Sequence, residues 1–385
     1  MERIIRMKNV ENLNNVLLQV KQVFVGKNEI IDLLGIALVA RENAFLFGPP
    51  GTAKSAIVRE LSNRISGGKN FEYLLTRFTE PNEIFGPFDI RKLKEGELMT
   101  NTEGMLPEAS VVFLDEIFNA NSAILNSLLM ALNEKIFKRG KETKKLPALM
   151  FVGASNALPE DEALAALLDR FLIRVKCDYV NPDLLLEVLL AGWNQQNQNV
   201  SEKETISVDT IQELQALCKQ VDLTGIRQAF IEVIHVLRNT GIKVSDRRAV
   251  KLQNLIAASA VLCGRDKAII SDLWVLKFIW DNEEQIELLE TIVKETLEKN
   301  KNESETLVNH PQAFQNHIAN AEELMKDLVA LKQKWESKTV NLNEQSVLKD
   351  KLRYLQTRCD WVKNEEQKEY LLNEVNSIWK LVLEN

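Results

Sequence analysis

A short apolar run that stops at a glycine-rich loop constrains the fold of this chain more than any other segment. The run is Ala44 to Phe47, and the loop that follows reads Gly48-Pro49-Pro50-Gly51-Thr52-Ala53 before Lys54-Ser55. Apolar residues then recur at helical spacing, at Ile57, Val58, Leu61 and Ile65. The order predicts a strand, a loop and a helix. Backbone N–H groups of such a loop cradle phosphates, the lysine reaches the β- and γ-phosphates, and the serine hydroxyl ligates Mg²⁺.

One position departs from the usual phosphate-loop pattern G-x-x-x-x-G-K-[ST]. Ala53 stands where the second glycine is expected. The loop alone therefore suggests a nucleotide site but could be a chance match, and the other motifs of the chain are needed to distinguish the two.

The segment from 44 to 176 alternates short apolar runs with helical stretches. Candidate strands are 44–47, 72–77, 111–114, 149–154 and 171–175, and candidate helices lie near 54–66 and 121–134. Residues 9–40 predict two further helices. This alternation favours an α/β fold with a parallel sheet covered by helices on both faces. A turn-rich stretch from Phe85 to Pro107 predicts an inserted hairpin, and residues 138–145 predict a basic polar turn.

After Pro182 the strand signal disappears. Residues 183–280 show helical spacing and predict a small helical domain, and the polar stretch Lys299 to Ser304 is typical of a linker. Residues 311–385 carry three apolar stripes at 3-4 spacing, which predict three amphipathic helices. We therefore predict three domains, at 1–180, 181–285 and 286–385, which agrees with the two or three expected from 385 residues.

Two further apolar runs end in polar side chains. Val111 to Leu114 is followed by Asp115 and Glu116, and Phe151 to Ser155 is followed by Asn156. Ligands bind at the carboxyl edge of an open parallel sheet, where strands end. There Asp115 can hold Mg²⁺, Glu116 can activate a water, and Asn156 can sense the γ-phosphate if the two strands are neighbours. Each run alone also fits an ordinary strand end.

Three arginines are candidates for contact with phosphate. Arg170 follows Asp169 among apolar residues, where it could form a surface ion pair or reach a neighbouring subunit's nucleotide. Arg247 and Arg248 lie in the first turn of a predicted helix that Ser245 or Asp246 caps. Cations are unfavourable there because of the helix dipole, so the pair suggests an anionic partner, although solvated charges remain an alternative.

Charge and cysteine content restrict the class of protein. A net charge of −7 argues against a general affinity for nucleic acid. The four cysteines are far apart in the sequence and only three histidines are present, so we expect reduced thiols and no zinc site. Neither a signal peptide nor an apolar run of membrane-spanning length is found, which favours the cytoplasm.

Taken together, the motifs resemble the AAA+ ATPases, and within them the MoxR branch and its RavA subgroup. The resemblance rests on Gly48 to Ser55, Phe113-Leu-Asp-Glu, Gly153-Ala-Ser-Asn, Leu168-Asp-Arg-Phe and Ser245-Asp-Arg-Arg. Thr79-Glu-Pro-Asn-Glu-Ile-Phe-Gly-Pro is similar to the segment around that branch's inserted second-helix element. An alanine at the position of Ala53 also occurs in that branch. The match covers residues 9–285 and leaves the C-terminal helices unassigned.

The resemblance implies roles for the candidate residues. Lys54 and Ser55 would belong to Walker A, Asp115 and Glu116 to Walker B, and Asn156 to sensor 1. Arg170 would be an arginine finger that acts on the adjacent subunit, and Arg247 the sensor 2 arginine, with Arg248 as the alternative. The whole loop from Gly48 to Ser55 would bind ATP, with Mg²⁺ on Ser55 and Asp115. The helical domain at 181–285 would be the lid.

The resemblance also implies an assembly and a task. Family members form hexameric rings with nucleotide between subunits, and many work with a partner that carries a von Willebrand factor A domain as chaperone-like remodellers. We therefore expect an ATP-hydrolysing ring that remodels a partner protein or helps it to mature. Two alternatives stay open: a nucleotide-gated binding scaffold with little turnover, and a nucleic-acid-directed motor, for which the 138–145 loop is the basic candidate.

Overall fold

The computed structural model describes residues 2–197, 203–299, 308–314, 321–336, 342–359, 362 and 365–384. The chain divides into two compact units, one formed by 1–179 with 198–315 and the other by 180–197 with 316–385. Most of the predicted polar linker, from residue 300 to Ser304, lies outside the described residues. None of the helices in the described part is both long and apolar enough to span a bilayer.

A five-stranded parallel sheet forms the centre of the first unit. Its strand order is β3-β4-β7-β1-β8, and two small two-stranded sheets pair β2 with β9 and β5 with β6. The strands are β1 Ala44–Phe47, β2 Ile65–Ser66, β3 Asn70–Leu74, β4 Val111–Asp115, β5 Ile136–Arg139, β6 Glu142–Lys145, β7 Met150–Ser155, β8 Ile173–Lys176 and β9 Ile206–Ser207.

The apolar runs in the sequence follow from the position of these strands. Every residue of β1 and β7 is buried, since helices cover both faces of the sheet. β1 lies between β7 and β8, with Phe45 opposite Gly153 and Arg174. The predicted parallel sheet is confirmed, with strand ends that differ by up to three residues.

Helices of the first unit surround the sheet and continue into a helical region after it. Ser245 caps α11, because its Oγ accepts the N–H of Arg248. The helices are α1 Glu2–Val23, α2 Asn28–Ala40, α3 Lys54–Asn63, α4 Pro81–Phe85, α5 Ile90–Lys94, α6 Ser122–Glu134, α7 Glu162–Leu168, α8 Leu185–Asn197 (which belongs to the second unit), α9 Val208–Cys218, α10 Arg227–Asn239, α11 Asp246–Leu262 and α12 Gln285–Lys299.

A buried polar network holds the helical region together. The Asp272 carboxylate is fully buried and accepts two hydrogen bonds from the Arg265 guanidinium, both at 2.7 Å. Ser259 Oγ donates to the same carboxylate at 2.7 Å and accepts from Trp274 Nε1 at 3.0 Å. Because each of these buried groups has a partner, the network stabilises one packing of α11 against the segment that follows it.

The second unit combines a helix from the middle of the chain with the C-terminal helices. It contains α8, α13 (Ala321–Glu336), α14 (Leu342–Cys359) and α15 (Glu365–Glu384). The turn Pro182–Leu184 packs against α14, and Lys351 forms an ion pair with Asp183 at 2.6 Å. The core of the C-terminal helices is apolar, with Leu328, Leu352, Val375 and Ile378 fully buried. The predicted helical extension is confirmed, and residues 180–197 join it.

Two irregular segments differ from the sequence prediction. Residues 138–145 belong to a β-hairpin, in which β5 and β6 pair antiparallel with Arg139 opposite Glu142. The stretch after Phe85 contains the short helix α5, and its only hairpin-like feature among the described residues is one antiparallel bridge between Phe88 and Thr100. Arg139 connects the two segments, since it donates to Gly86 O and stacks on Phe88.

Candidate nucleotide-hydrolysis site

The loop after β1 is held closely between the ends of the neighbouring strands. Gly48 N–H donates to Ser155 O at 3.2 Å, and Cys177 N–H donates to Phe47 O at 2.6 Å. A Cβ on Gly48 would lie 2.1 Å from Cys177 O, so only glycine fits at this position. Gly51 has φ +83° and turns the loop back toward α3.

Ala53 adopts the left-handed conformation expected of the glycine that it replaces. Its φ is +67° and its ψ is +18°, directly before the first residue of α3. This conformation costs an L-residue about 1–2 kcal/mol. The loop therefore keeps the backbone path of a phosphate loop at an energetic cost.

The ammonium group of Lys54 lies inside the loop. The side chain is buried, and Nζ donates to Gly48 O at 2.7 Å, to Pro49 O at 3.0 Å and to Asn156 Oδ1 at 3.1 Å. Thr52 Oγ1 also donates to Pro49 O, at 2.9 Å. A single positive charge thus lies among backbone carbonyls at the mouth of the loop, where a phosphate group would offer it better acceptors.

The side-chain oxygens of Asp115 and Ser55 lie next to each other at the carboxyl edge of the sheet. Ser55 Oγ is 3.4 Å from Asp115 Oδ2, and Asp115 Oδ1 accepts the N–H of Glu116 at 3.0 Å. Hard oxygen donors of this kind suit Mg²⁺ that keeps several of its waters. The residues present therefore fit the magnesium that the sequence predicts here.

Glu116 and Asn156 are in direct contact because β4 and β7 are neighbours. Asn156 Nδ2 donates to Glu116 Oε1 at 2.6 Å, while Asn156 Oδ1 faces Lys54. Glu116 itself has φ +49°, a second strained backbone position in this site. The structure thus brings Lys54, Ser55, Asp115, Glu116 and Asn156 together at one edge of the sheet.

Arg170 and Arg247 lie at the opposite edge, where the strands begin. Arg170 precedes β8, and its backbone O accepts from Asn43 Nδ2, directly before β1, at 2.9 Å. The Arg247 guanidinium donates to Asn133 Oδ1 at the end of α6, and Asn43 also donates to the neighbouring Leu132 O. Within one chain, therefore, neither arginine is brought to the phosphate loop.

The buried guanidinium of Arg248 forms an ion pair with the partly exposed Asp281. Arg248 is 5% exposed, and it shares Asp281 with the fully buried Arg174. Arg248 Nη1 lies 3.0 Å from Asp281 Oδ1 and also donates to Lys243 O. Burial, together with the neighbouring Arg248, lowers the pKa of Arg174 to about 10. Of the two consecutive arginines, Arg247 is exposed to solvent, and the geometry gives Arg248 a structural role.

Sequence reasoning missed two groups beside the phosphate loop. Lys27, before α2, is buried and donates from Nζ to Asp178 O, and its burial lowers its pKa. Tyr179 Oη donates to Pro50 O at 3.2 Å. The signal for Lys27 was the pair Gly26-Lys27 between two helices, which resembled ordinary helix punctuation.

Comparison with known proteins gives the family. A model described as the MoxR domain of MoxR-vWA-beta-propeller ternary systems matches residues 11–216, more than half of the chain. A second model, described as an AAA lid domain, matches residues 210–293.

Individual relatives agree with these models. An uncharacterised protein of Methanocaldococcus jannaschii is 36% identical over 270 residues, which cover 69% of this chain and 70% of that protein. The chaperone MoxR1 of Mycobacterium tuberculosis is 26% identical over 184 residues, 47% of this chain and 48% of that one. The crystal structure of a presumed ATPase from Cytophaga hutchinsonii shares the fold, with a TM-score of 0.62 and 20% identity over 75% of this chain and 96% of that one. The fold, the loop geometry and these matches agree, and the chain belongs to the MoxR family of AAA+ ATPases.

Proposed function

We propose that this protein hydrolyses ATP at the interfaces of a ring, most simply a hexamer, and uses the cycle to remodel a partner protein. One observation carries the proposal. The nucleotide-binding residues lie at the carboxyl edge of the sheet, whereas Arg170 and Arg247 lie at the amino edge. A complete site then requires the arginines of a second copy, so turnover depends on assembly.

The residues at the carboxyl edge have separate roles in hydrolysis. The loop from Gly48 to Ser55 binds the phosphates, and Lys54 exchanges its backbone carbonyl acceptors for phosphate oxygens. Ser55 and Asp115 would hold Mg²⁺, which supplies charge neutralisation between the phosphates. Glu116 orients and deprotonates the attacking water, and Asn156 fixes the carboxylate of Glu116 through its amide.

The arginines act on charge that develops in the transition state. Arg170 from a neighbouring subunit stabilises the transferring phosphoryl group, and Arg247 contacts the same nucleotide as the sensor arginine. Both are held on one edge of their own subunit, which supports a joint action in trans. The pairing of the Arg248 guanidinium with Asp281 supports Arg247 rather than Arg248 in this role.

The family match supports a proposal for the partner and the task. The matched domain is described from systems that pair MoxR with vWA proteins, which supports a partner with a von Willebrand factor A domain. A chaperone-like task agrees with the relative MoxR1. The finer likeness to the RavA subgroup, a cytoplasmic location and the three-domain division at 180 and 285 are further parts of the proposal.

A nucleotide-gated scaffold is the second candidate. The contact of 2.6 Å between Asn156 and Glu116 favours it, because a carboxylate engaged by an amide is a weaker base for water. Phosphate release under steady-state conditions from assembled protein separates the candidates, since the scaffold binds ATP without sustained release.

A mixing experiment tests the trans arrangement. Lys54→Ala subunits lack the phosphate-binding lysine but supply Arg170, and Arg170→Ala subunits bind nucleotide but lack the finger. Each variant alone is expected to lose at least about 10³-fold in turnover, and an equal mixture should regain a substantial part of it. A mixture that stays as inactive as its components, or full turnover by monomeric Arg170→Ala protein, would refute the proposal.

A further inference from the structure

The side chain of Asn43 connects three elements at the amino edge of the sheet. It is 1% exposed, donates from Nδ2 to Leu132 O at 3.1 Å and to Arg170 O at 2.9 Å, and accepts from Lys135 Nζ at 2.8 Å. Its backbone O also accepts the N–H of Leu172 at 3.1 Å. The segment that carries Arg170 is therefore fixed to the start of β1 by both the side chain and the backbone of one residue.

Asn133 contacts the second arginine, in this case at its guanidinium group. Its Oδ1 accepts from the Arg247 guanidinium, and it follows Leu132, the residue that Asn43 contacts. One helix turn further along α11, Lys251 pairs with the buried Glu42 at 2.9 Å, which keeps this end of α11 against the sheet. The C-terminal end of α6 thus contacts the Arg247 guanidinium directly and the Arg170 backbone through Asn43, while the Arg170 guanidinium itself pairs with Asp169 at 2.9 Å.

The other end of α6 begins a few residues after Asp115, which would hold Mg²⁺. The helix follows β4, Asp115 and Glu116 after a short turn, and Asn121 caps it through the N–H groups of Ala123 and Ile124. Its 13 residues correspond to about 20 Å. α6 thus connects the edge where a subunit holds its own nucleotide with the edge where its arginines lie.

The residue that follows the C-terminal end of α6 has a strained backbone conformation. Lys135, directly after the helix, has φ +54°, and its ammonium lies 4.6 Å from the centre of the Phe151 ring. Arg41, after α2, has φ +57°. Residues in this strained conformation persist where the surrounding packing determines them, and they are typical of functional sites.

We propose that Asn133 and Asn43 are positioning residues, which hold Arg247 and Arg170 at the end of α6 in the geometry that a neighbouring subunit's nucleotide requires. This inference rests on the proposed function, because it presupposes that the two arginines act in trans. Neither asparagine touches the nucleotide. Each asparagine acts through an arginine, so replacement of either asparagine should lower the rate of the chemical step.

A double-mutant cycle tests the inference with assembled full-length protein. Asn133→Ala should lower kcat for ATP about tenfold with little change in KM, because the phosphate loop is untouched while a guanidinium is misplaced. Arg247→Ala should lower kcat at least as far, and the double variant should match Arg247→Ala. Losses that multiply in the double variant would mean that Asn133 acts independently of Arg247, which would overturn the inference.

Control variants separate this inference from the proposed function. Asn126→Ala removes an exposed asparagine from the same helix and should leave kcat unchanged. If Arg247→Ala itself keeps full turnover, the proposed role of that arginine fails. If Arg247→Ala is impaired while Asn133→Ala behaves like wild type, only the positioning role fails. Asn43→Asp, paired with Arg170→Ala, repeats the cycle for the buried asparagine, and light scattering checks that each variant still assembles.

Discussion

Replacement of Gly48 by alanine should weaken ATP binding and also lower the stability of the protein. The added Cβ would lie 2.1 Å from Cys177 O, whereas real Cβ contacts essentially never fall below 3.0 Å. About 0.9 Å of movement is needed between two backbone segments. Cys177 cannot retreat freely because its N–H is bonded to Phe47 O at 2.6 Å. The loop has to move instead.

The magnitude follows from that displacement. A shift of about 1 Å in a positioning element costs about 10²-fold in function, so we expect the Kd for ATP to rise by about two orders of magnitude. Overpacking should also lower the free energy of unfolding by about 1–3 kcal/mol. The measurements are displacement of a fluorescent nucleotide from the loop and urea denaturation of the same samples.

Gly67 offers a matched control. It has φ +74° with no atom within 4 Å of an added Cβ, and it lies outside the phosphate loop. Gly67→Ala should therefore lose a similar 1–2 kcal/mol of stability through backbone strain alone and keep its ATP affinity. Wild-type affinity in Gly48→Ala, or an equal loss of affinity in both variants, would refute the assignment of Gly48 as the residue that fits the loop to the sheet.

Three further predictions address the chemistry and the packing. Glu116→Gln should bind ATP and lose at least about 10²-fold in turnover, measured as phosphate release, and unchanged turnover would remove its role as base. Asp281→Asn should lower the unfolding free energy by about 3 kcal/mol in urea, because two buried guanidinium groups lose their carboxylate, whereas Glu283→Gln, in an exposed ion pair, should cost under about 1 kcal/mol. Burial lowers the pKa of His310 to about 4, below its ordinary 6.5, so below pH 6.5 the unfolded state binds the extra proton first. Stability should then fall by about 1.4 kcal/mol per pH unit from pH 6.5 toward pH 4, and a His310→Phe variant that loses stability just as steeply would contradict this.

The local patterns of the sequence predicted the sheet well, because strands buried on both faces appear as short apolar runs. β1 was predicted at its observed bounds, and the position of Asp115 and Asn156 at strand ends followed from the same runs. The β-hairpin at 136–145 was missed because its exposed strand of Glu, Thr and Lys has no apolar signal.

Side-chain choices that depend on packing could not be predicted. Arg247 and Arg248 are adjacent and chemically equal in the sequence, and only the position of Asp281, more than thirty residues later, shows which one is buried. Likewise, an asparagine at the end of a helix, such as Asn133, does not indicate by its sequence context that it contacts an arginine. Its contact with Arg247 arises from the docking of α11 on the sheet, which no local pattern encodes.

Backbone strain in this chain has a consequence for protein engineering. In the described part of the chain, the non-glycine residues with positive φ are Arg41, Ala53, Glu116 and Lys135. Ala53 lies in the phosphate loop and Glu116 at the end of β4, whereas Arg41 and Lys135 lie near Asn43 at the amino edge of the sheet. Each stores about 1–3 kcal/mol, so a selection for heat resistance alone should enrich glycine or asparagine at these four positions. Replacement of Glu116 would remove the proposed base, so that variant should trade turnover for thermal tolerance, whereas glycine at position 53 restores the usual phosphate-loop residue and should keep turnover.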